Sequence, residues 1–166
     1  MTDIEISLQQ AAEKAARTLQ AASATVTAAE SCTGGLVAAA LTAVAGSSQW
    51  FEQSWVTYSN RAKQTMLGVP QATLQQHGAV SKEVVEAMAA GARVRAGSTI
   101  AVAISGIAGP TGGTADKPVG TVWIAWATAE QVESRGFRFD GDRYTVRMLS
   151  AVEAIIGCNE RCQPKR

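Results

Sequence analysis

The stretch ATVTAAESCTGGLVAAALTAVA (residues 24–45) decides the predicted fold. Residues 24–30 predict a short β-strand, residues 31–35 a glycine-rich turn, and the alanine-rich residues 36–45 a helix. Gly46 follows as a natural helix stop. A strand that passes through a tight turn directly into a helix is typical of α/β folds, so we expect an α/β protein.

The rest of the chain continues this alternation on both sides. Apolar residues at helical spacing predict an amphipathic helix over residues 4–20. Further strands are predicted at 51–59, 98–106, 119–129 and 132–140, and further helices at about 61–67, 71–77, 81–96 and 142–158. The last two strands have only a short link between them, which predicts a hairpin. The sequence therefore predicts a three-layer α/β/α sandwich with a mixed, mostly parallel sheet of about five strands.

The chain has 166 residues and a mass of 17.3 kDa, which fits one domain over residues 1–166. Charged residues make up 17%, below the roughly 25% of an ordinary soluble domain. The charge is also uneven, because residues 31–51, 64–81, 96–115 and 118–129 contain no Asp, Glu, Lys or Arg. Since solvated surface usually carries charge, these stretches indicate a buried interior or a cleft.

Composition excludes several classes of protein. Apolar residues at 46% and a net charge of +1 argue against disorder, and no run of about 20 apolar residues offers a membrane span. The N-terminus has no apolar signal segment, so we expect a cytoplasmic protein. Lys plus Arg (15) barely exceed Asp plus Glu (14), which argues against non-specific binding of nucleic acid.

Three cysteines and one histidine limit the chemistry further. Cys32, Cys158 and Cys162 are an odd number in a chain with no export signal, so reduced thiols are expected. A structural zinc site needs about four Cys or His ligands, and we therefore expect no metal. Any histidine-dependent nucleophile has only His77, which most simply ends a helix before Gly78.

The segment ESCTGG (residues 30–35) is the first candidate for chemistry. Backbone N–H groups in a glycine-rich turn before a helix bind anions, so Ser31 can be a nucleophile whose oxyanion they receive. The alternative is that Ser31 or Thr33 only caps the helix. Cys32 is a rival nucleophile, but its activation is harder with one histidine in the chain. Glu30 precedes Ser31 on the strand, so its side chain is expected to point away.

The segment YSNRAK (residues 58–63) supplies a candidate base. Lys63 lies one turn into its predicted helix, and a neutral lysine can activate a serine when no histidine is available. Its pKa, ordinarily about 10.4, must then be lowered by burial or by a nearby cation. Tyr58 can bond the lysine or relay a proton. The alternative is that Lys63 is solvated and Tyr58 belongs to the core.

Two further segments are candidates for ligand binding. The loop ISGIAGPTGG (residues 104–113) follows a buried strand, where open α/β sheets place ligands; the alternative is a surface loop without function. In GDRYTVR (residues 141–147), Arg143 lies in the first turn of a predicted helix, where the dipole disfavours a cation. Such an arginine suits a phosphate. A surface ion pair with Asp140 or Asp142 is the alternative.

Together these segments resemble the CinA C-terminal domain family. The segments that carry the resemblance are AESCTGGLVAAALT (29–42), AGSSQWF (45–51), VTYSNRAKQTMLGV (56–69), HGAVSKEVVEAMAAGA (77–92), ISGIAGPTGG (104–113), KPVGTVWIA (117–125) and GDRYTVR (141–147). They follow the order seen in that family. They are highly specific as a set, and the resemblance covers nearly the whole chain, about residues 5–156.

The resemblance implies a three-layer α/β/α fold and, for a stand-alone chain of this length, a nicotinamide-nucleotide amidohydrolase. Such an enzyme converts nicotinamide mononucleotide to nicotinate mononucleotide and ammonia, which recycles pyridine nucleotide toward NAD. It also implies a homo-oligomer, and we expect a dimer, no metal and no cofactor. The family's nucleophile falls on Ser31, its lysine base on Lys63, its tyrosine on Tyr58, and a substrate-contacting position on Ser105.

Further positions are expected to bind the substrate. The N–H groups that are expected to receive the oxyanion are those of Cys32, Thr33, Gly34 and Gly35. Arg143 is the first candidate for the phosphate, and the loop that begins at Gly109 is the second. Gly46 and Ser48 lie between two of the motifs and are expected to line the pocket.

Two alternatives to an enzyme are open. The same fold can serve as a non-catalytic nucleotide-binding or regulatory module, which predicts thermal stabilisation by the nucleotide without release of ammonia. The charge-free surface can instead be the oligomer interface of an interaction domain. That alternative predicts no effect of ligand, and loss of assembly when Trp50 or Trp55 is replaced.

Overall fold

The computed structural model describes residues 1–162; residues 163–166, the basic end of the predicted domain, lie outside the described residues. The helices are α1 (Asp3–Ala21), α2 (Leu36–Thr42), α3 (Asn60–Leu67), α4 (Gln71–His77), α5 (Lys82–Ala96) and α6 (Arg143–Cys162). The strands are β1 (Val26–Glu30), β2 (Phe51–Val56), β3 (Ile100–Gly106), β4 (Thr121–Ala127) and β5 (Val132–Arg138). A short 3-10 helix, Ser47–Gln49, precedes β2. Within residues 1–162, no helix is both long and apolar enough to cross a membrane.

The five strands form one sheet in the order β2-β1-β3-β4-β5. β1 pairs in parallel with both β2 and β3, and β4 and β5 add an antiparallel hairpin on the far side of β3. The first three strands are parallel because the helices between them carry the chain back to the same end of the sheet. The predicted mixed sheet of about five strands and the predicted hairpin are confirmed.

Helices cover both faces of this sheet. On one face, α1, α2 and α6 bury an apolar cluster that includes Trp126; on the other, α3, α4 and α5 bury a second cluster against which Trp123 packs. Trp123 and Trp126 are three residues apart on β4, so their side chains leave opposite faces of the strand. The Trp126 indole N–H donates to the Ala154 carbonyl in α6 (2.9 Å), which satisfies its polar atom inside the core. The predicted three layers are confirmed.

Three element ends differ from the predictions by three residues or more, each for a local reason. α2 ends at residue 42 rather than 45, because the Val44 N–H bonds the Leu41 carbonyl in the tighter pattern of a 3-10 turn. β2 ends at residue 56 rather than 59, because Ser59 caps α3. α6 continues to residue 162 rather than 158, because its last turns bury Asn159, which hydrogen-bonds Thr18 of α1.

Candidate active site

The carboxyl ends of β1, β2 and β3 meet at one edge of the sheet, because these strands are parallel. Open α/β sheets bind ligands at this edge. A cavity of about 220 Å³ lies there, and its walls are Ser31, Cys32, Tyr58, Asn60, Lys63, Ala79, Val80, Ser105, Gly106, Ala108 and Arg143. The structure thus brings together Ser31, Lys63, Tyr58, Ser105 and Arg143, which the sequence places far apart.

Ser31 and Lys63 are in direct contact in this cavity. Lys63 Nζ lies 3.0 Å from Ser31 Oγ across a sequence separation of 32 residues. The lysine is 1% exposed, and its Nζ also contacts the carbonyls of Thr57 (2.9 Å) and Tyr58 (3.4 Å). A neutral lysine that donates its two N–H groups to these carbonyls has its lone pair left for the Ser31 proton. This arrangement is suited to base-assisted attack by a serine.

A helix cap places Lys63 at this point. The backbone of Ser59 is extended and its side chain accepts a hydrogen bond from the Ala62 N–H (3.0 Å), so α3 begins at Asn60. Lys63 is therefore one turn into α3, on its buried side. Burial lowers the pKa of Lys63 from 10.5 to about 8, because removal from water disfavours the charged ammonium form. A base with this pKa is partly neutral near physiological pH.

The carboxylate of Glu30 holds the turn that carries Ser31. Glu30 is fully buried, and its oxygens accept hydrogen bonds from the N–H groups of Gly35 (3.0 Å), Val37 (3.2 Å) and Ala38 (2.9 Å) at the start of α2. The N-terminal end of a helix favours a negative charge. Among the described residues, every hydrogen bond of this carboxylate goes to that end of α2, so the acid next to Ser31 in sequence binds the helix.

Fewer N–H groups of this turn are available for an oxyanion than the sequence predicts. The Gly34 N–H donates to the Ser31 carbonyl (3.1 Å) and the Gly35 N–H to Glu30 (3.0 Å). These two N–H groups are therefore bound within the protein, and with φ of 59° and 103° both glycines allow the left-handed turn, while the substrate contact expected of them stays a prediction. Among the described residues, no oxygen accepts a hydrogen bond from the N–H of Cys32 or Thr33. Cys32 lines the cavity, and Thr33, which is fully buried, follows it in the turn, so the N–H groups of these two residues are the ones that no described protein oxygen binds.

Arg147 is a part of the site that was not predicted from the sequence. Its Nε donates to the Cys32 carbonyl (2.9 Å) and its Nη2 to the Thr33 carbonyl (3.1 Å). One signal in the sequence points to it, since Arg147 follows Arg143 by four residues on α6. Residues four apart on a helix lie on the same face. An arginine expected in the cavity therefore implies a second one close by.

Tyr58 contacts the lysine through its backbone and not through its phenol. The Tyr58 carbonyl accepts from Lys63 Nζ (3.4 Å), whereas its hydroxyl accepts from Arg143 Nη2 (3.0 Å). Tyr58 is 61% exposed, because β2 ends before it and the turn into α3 carries the side chain to the rim of the cavity. The predictions of a bond between this hydroxyl and Lys63, and of a core position for Tyr58, are both wrong.

Arg143 and Ser105 line the cavity from different elements. Arg143 is the first residue of α6, and its Nη1 donates to the Gly109 carbonyl (2.8 Å), which ties the glycine-rich loop to this helix. Ser105 lies near the end of β3 and is 2% exposed. Gly109 supports Arg143 through its backbone. Its φ is 80°, and a Cβ there would lie 2.5 Å from a Val119 methyl group, so this position requires glycine.

Gly46 and Ser48 lie away from this cavity. Both are exposed, and they flank or form the 3-10 helix that leads into the beginning of β2. The cavity lies past the other end of that strand, and the six residues of β2 span roughly 20 Å at about 3.3 Å per residue. Within a single chain, Gly46 and Ser48 therefore do not line this cavity, and the substrate contact expected of them stays a prediction. Their position between two motifs in sequence does not put them at the same edge of the sheet.

Cys32 lines the cavity beside Ser31, but its thiol is a poor nucleophile. Burial raises the pKa of Cys32 to about 12, and the thiolate rather than the thiol is the reactive form. Cys32 is 6% exposed, so reagents in solution have little access to it. Of the two neighbouring candidates, Ser31 is therefore the one with a base in contact.

Five walls of the cavity are not among the predicted site residues: Gly106 and Ala108, which lie in the segment predicted to bind a ligand, and Asn60, Ala79 and Val80, which lie outside it. Asn60 begins α3, and Ala79 and Val80 follow α4. Lys117 supports that second segment, because its Nζ donates to the carbonyl of His77, the last residue of α4 (2.7 Å). An amide and two small apolar side chains carry no chemical signal that singles them out in a sequence.

The cavity is basic. Among the described residues, its walls include Lys63 and Arg143 but no Asp or Glu. Within the same part of the chain, no three His, Cys, Asp or Glu side chains are grouped so that they could hold a metal ion. A ligand with a negative group near Arg143 fits these charges, since a basic cleft attracts anions.

Known proteins share this fold and much of this sequence. Residues 8–162 match the family model described as the CinA C-terminal domain. Nicotinamide-nucleotide amidohydrolase PncC of Escherichia coli K12 is 54% identical over 156 residues, 93% of each chain. The protein of the same name from Pseudomonas putida is 55% identical over 134 residues, 81% of this chain and 84% of that protein. The crystal structure of a CinA superfamily protein from Klebsiella pneumoniae superposes with a TM-score of 0.90 at 41% identity, covering 93% of this chain and 97% of that one.

Proposed function

Because the chain belongs to the CinA C-terminal domain family, we propose that it is a nicotinamide-nucleotide amidohydrolase that uses Ser31 and Lys63. It hydrolyses the carboxamide of nicotinamide mononucleotide to nicotinate mononucleotide and ammonia. Relatives at 54% and 55% identity over most of both chains support this activity. The observation that carries the mechanism is the 3.0 Å contact between Ser31 Oγ and a buried Lys63 Nζ in a cavity that is basic.

In the first half of the reaction, Ser31 is acylated. Neutral Lys63 takes the Ser31 proton while Oγ attacks the carboxamide carbon. The N–H groups of Cys32 and Thr33 are the donors proposed for the negative oxygen that forms. The Lys63 ammonium then gives its proton to the amide nitrogen, the C–N bond breaks, and ammonia leaves.

In the second half, water releases the product. The neutral Lys63 left by the departure of ammonia takes a proton from a water molecule, which attacks the ester carbon. The bond to Ser31 Oγ breaks and Oγ receives the proton back from Lys63. Nicotinate mononucleotide leaves, and both residues return to their starting states without any cofactor.

The charges of the substrate match those of the site. The pyridinium ring withdraws electrons from the carboxamide, which makes its carbon easier to attack. The same positive charge close to Lys63 favours the neutral form of the lysine. The phosphate is assigned to Arg143, which uses only part of its five N–H donors on Gly109 and Tyr58.

Arg143→Met is expected to raise the KM for nicotinamide mononucleotide by about 10- to 100-fold, because charge-assisted hydrogen bonds to the phosphate are lost. Steady-state kinetics on the nucleotide and on nicotinamide riboside, which has no phosphate, measure this. The riboside should be a poor substrate for both proteins and change by less than about threefold. Equal KM values for the nucleotide in the two proteins would place the phosphate elsewhere.

The rate is expected to rise with pH and to level off above about 8, the pKa to which burial lowers Lys63. Below this pH the lysine holds a proton and cannot act as the base, so kcat/KM falls as the pH falls. The profile is measured from pH 7 to 9.5, above the second pKa of the phosphate near 6. Tyr58→Phe serves as the control, since it should leave the position of this limb unchanged. A flat profile between pH 7 and 9 contradicts the role of Lys63.

An ammonia-release assay with nicotinamide mononucleotide in the presence of EDTA tests the function itself. Release of ammonia and nicotinate mononucleotide in equal amounts supports the amidohydrolase. A thermal shift with the nucleotide but no ammonia indicates the binding or regulatory module. Absence of both indicates an interaction domain.

We also propose that the protein is a cytoplasmic homo-oligomer, with a dimer favoured. The exposed apolar side chains of Val56 (48%) and Met66 (43%) on β2 and α3 support an association surface. Sedimentation equilibrium measures the assembly directly.

A further inference from the structure

The turn that carries Ser31 lies between a buried acid and an arginine. Glu30 accepts the N–H groups at the start of α2, as described above. Arg147 binds carbonyl groups of the same segment instead, since it donates to the carbonyls of Cys32 (2.9 Å) and Thr33 (3.1 Å). The donor to these two carbonyls lies on α6, and nothing in the sequence of the turn itself predicts that contact.

We propose that Arg147 is a positioning residue for the oxyanion site of this turn. In a trans peptide the N–H points opposite to the C=O. When Arg147 holds the Cys32 carbonyl toward α6, it therefore directs the Thr33 N–H away from α6. A guanidinium on a carbonyl also polarises that peptide, which makes its N–H a stronger donor. This inference rests on the proposed function, since it assigns the turn an oxyanion to bind.

Arg143 and Arg147 of α6 contact different parts of the site. Arg143 lines the cavity and reaches Tyr58 and Gly109 at its rim. Among the described residues, Arg147 is not a wall of the cavity, and its Nε and Nη2 are bound to the turn. Arg147 is therefore placed to act on the substrate through the turn, and not by contact.

Close packing supports this role. A Cβ at Gly34 would lie 3.2 Å from Arg147 Nη2, so the guanidinium sits directly against the turn. The left-handed backbone of Gly34 and the bond from its N–H to the Ser31 carbonyl complete the turn. The peptide groups between Ser31 and Gly35 are thus held by Glu30 of β1, by Arg147 of α6 and by the hydrogen bond within the turn.

The test compares Arg147→Met and Arg147→Lys with the wild-type protein. Arg147→Met should lower kcat by about 10²- to 10³-fold, the typical cost of losing an oxyanion donor. KM should change by less than about threefold, because an interaction made only in the transition state does not alter the binding of the substrate. Arg147→Lys restores one donor and should recover part of kcat. The pH limb of Lys63 should not move, because Arg147 does not contact that residue among the described hydrogen bonds.

Arg161→Met is the matched control on the same helix. Arg161 is also held by its surroundings, since it lies over the Trp126 ring and pairs with Glu133 at 2.7 Å. It is 14 positions from Arg147 on α6, roughly 20 Å at 1.5 Å per residue. Its kcat should stay at the wild-type value.

Three results overturn the inference: an Arg147→Met kcat close to wild type, a raised KM with kcat kept, or a pH limb that moves toward that of an ordinary lysine. The last would mean that Arg147 supports the whole pocket. A wild-type protein that releases no ammonia overturns the proposed function instead. Amide hydrogen exchange of residues 31–35 then tests the positioning alone: much faster exchange in Arg147→Met supports it, and equal exchange contradicts it.

Discussion

Ser31→Ala is expected to lower kcat for ammonia release by about 10⁴-fold or more, since loss of a catalytic nucleophile removes the covalent route entirely. The change deletes one oxygen atom at a residue that is 9% exposed. The turn does not depend on that atom, because its hydrogen bonds use the Ser31 carbonyl and the Ser31 N–H. The fold should therefore be retained, and circular dichroism with thermal melting checks this.

Two variants make the Ser31 result specific. Ser7→Ala removes the hydroxyl of an exposed serine of α1 and should keep the wild-type rate. Cys32→Ala tests the rival nucleophile and should also keep most of the rate, because burial raises the pKa of that thiol to about 12. Activity that survives in Ser31→Ala and disappears in Cys32→Ala would transfer the role of nucleophile to Cys32.

The contact between Ser31 and Lys63 could be predicted in outline because it follows from topology. Ser31 comes directly after β1, and Lys63 comes in the first turn of the helix that follows β2; these two strands are parallel and end at the same edge of the sheet. The cap at Ser59 then fixes how far into α3 the lysine lies. Pattern and cap are both local, so the sequence contains them.

The rest of the site depends on contacts between distant segments that no local sequence pattern predicts. Arg147 reaches the turn from α6 across a separation of 115 residues, and a helix periodicity does not say which loop its polar side meets. Tyr58 is close to Lys63 in sequence, but it lies two residues past the end of β2, and its exposed side chain lies at the rim of the cavity. Gly46 and Ser48 are close in sequence to two of the motifs, but they lie before the beginning of β2, whereas the cavity lies past the end of that strand.

The uneven charge of the sequence also gains a physical explanation. A carboxylate in the cavity would hold the proton on Lys63, and among the described residues the cavity walls contain none. The acid adjacent to Ser31 is bound instead by three backbone N–H groups of α2. The stretches without charged residues therefore have two effects: they form the buried core, and they keep carboxylates away from Lys63, which favours its neutral form.

Lys63→Met is expected to lower kcat by about 10³-fold or more, because no other base contacts Ser31 among the described residues. Methionine has nearly the length of lysine and suits a buried position, so the variant should fold. Lys63→Arg keeps a cation that cannot lose its proton and should be equally inactive. Lys82→Met, at an exposed lysine of α5, is the matched control and should keep the wild-type rate.

The stability of Lys63→Met separates a buried base from a merely structural lysine. The pKa of Lys63 is about 8 in the folded protein and 10.5 without burial, so between these values the unfolded chain binds more protons. Wild-type stability should therefore rise with pH through this window, while the variant lacks this contribution. The free energy of unfolding of Lys63→Met relative to wild type should increase by about 3 kcal/mol as the pH falls from 10.5 to 8. Denaturant unfolding at several pH values measures the difference, and a constant difference would mean that Lys63 is not neutral in the folded site.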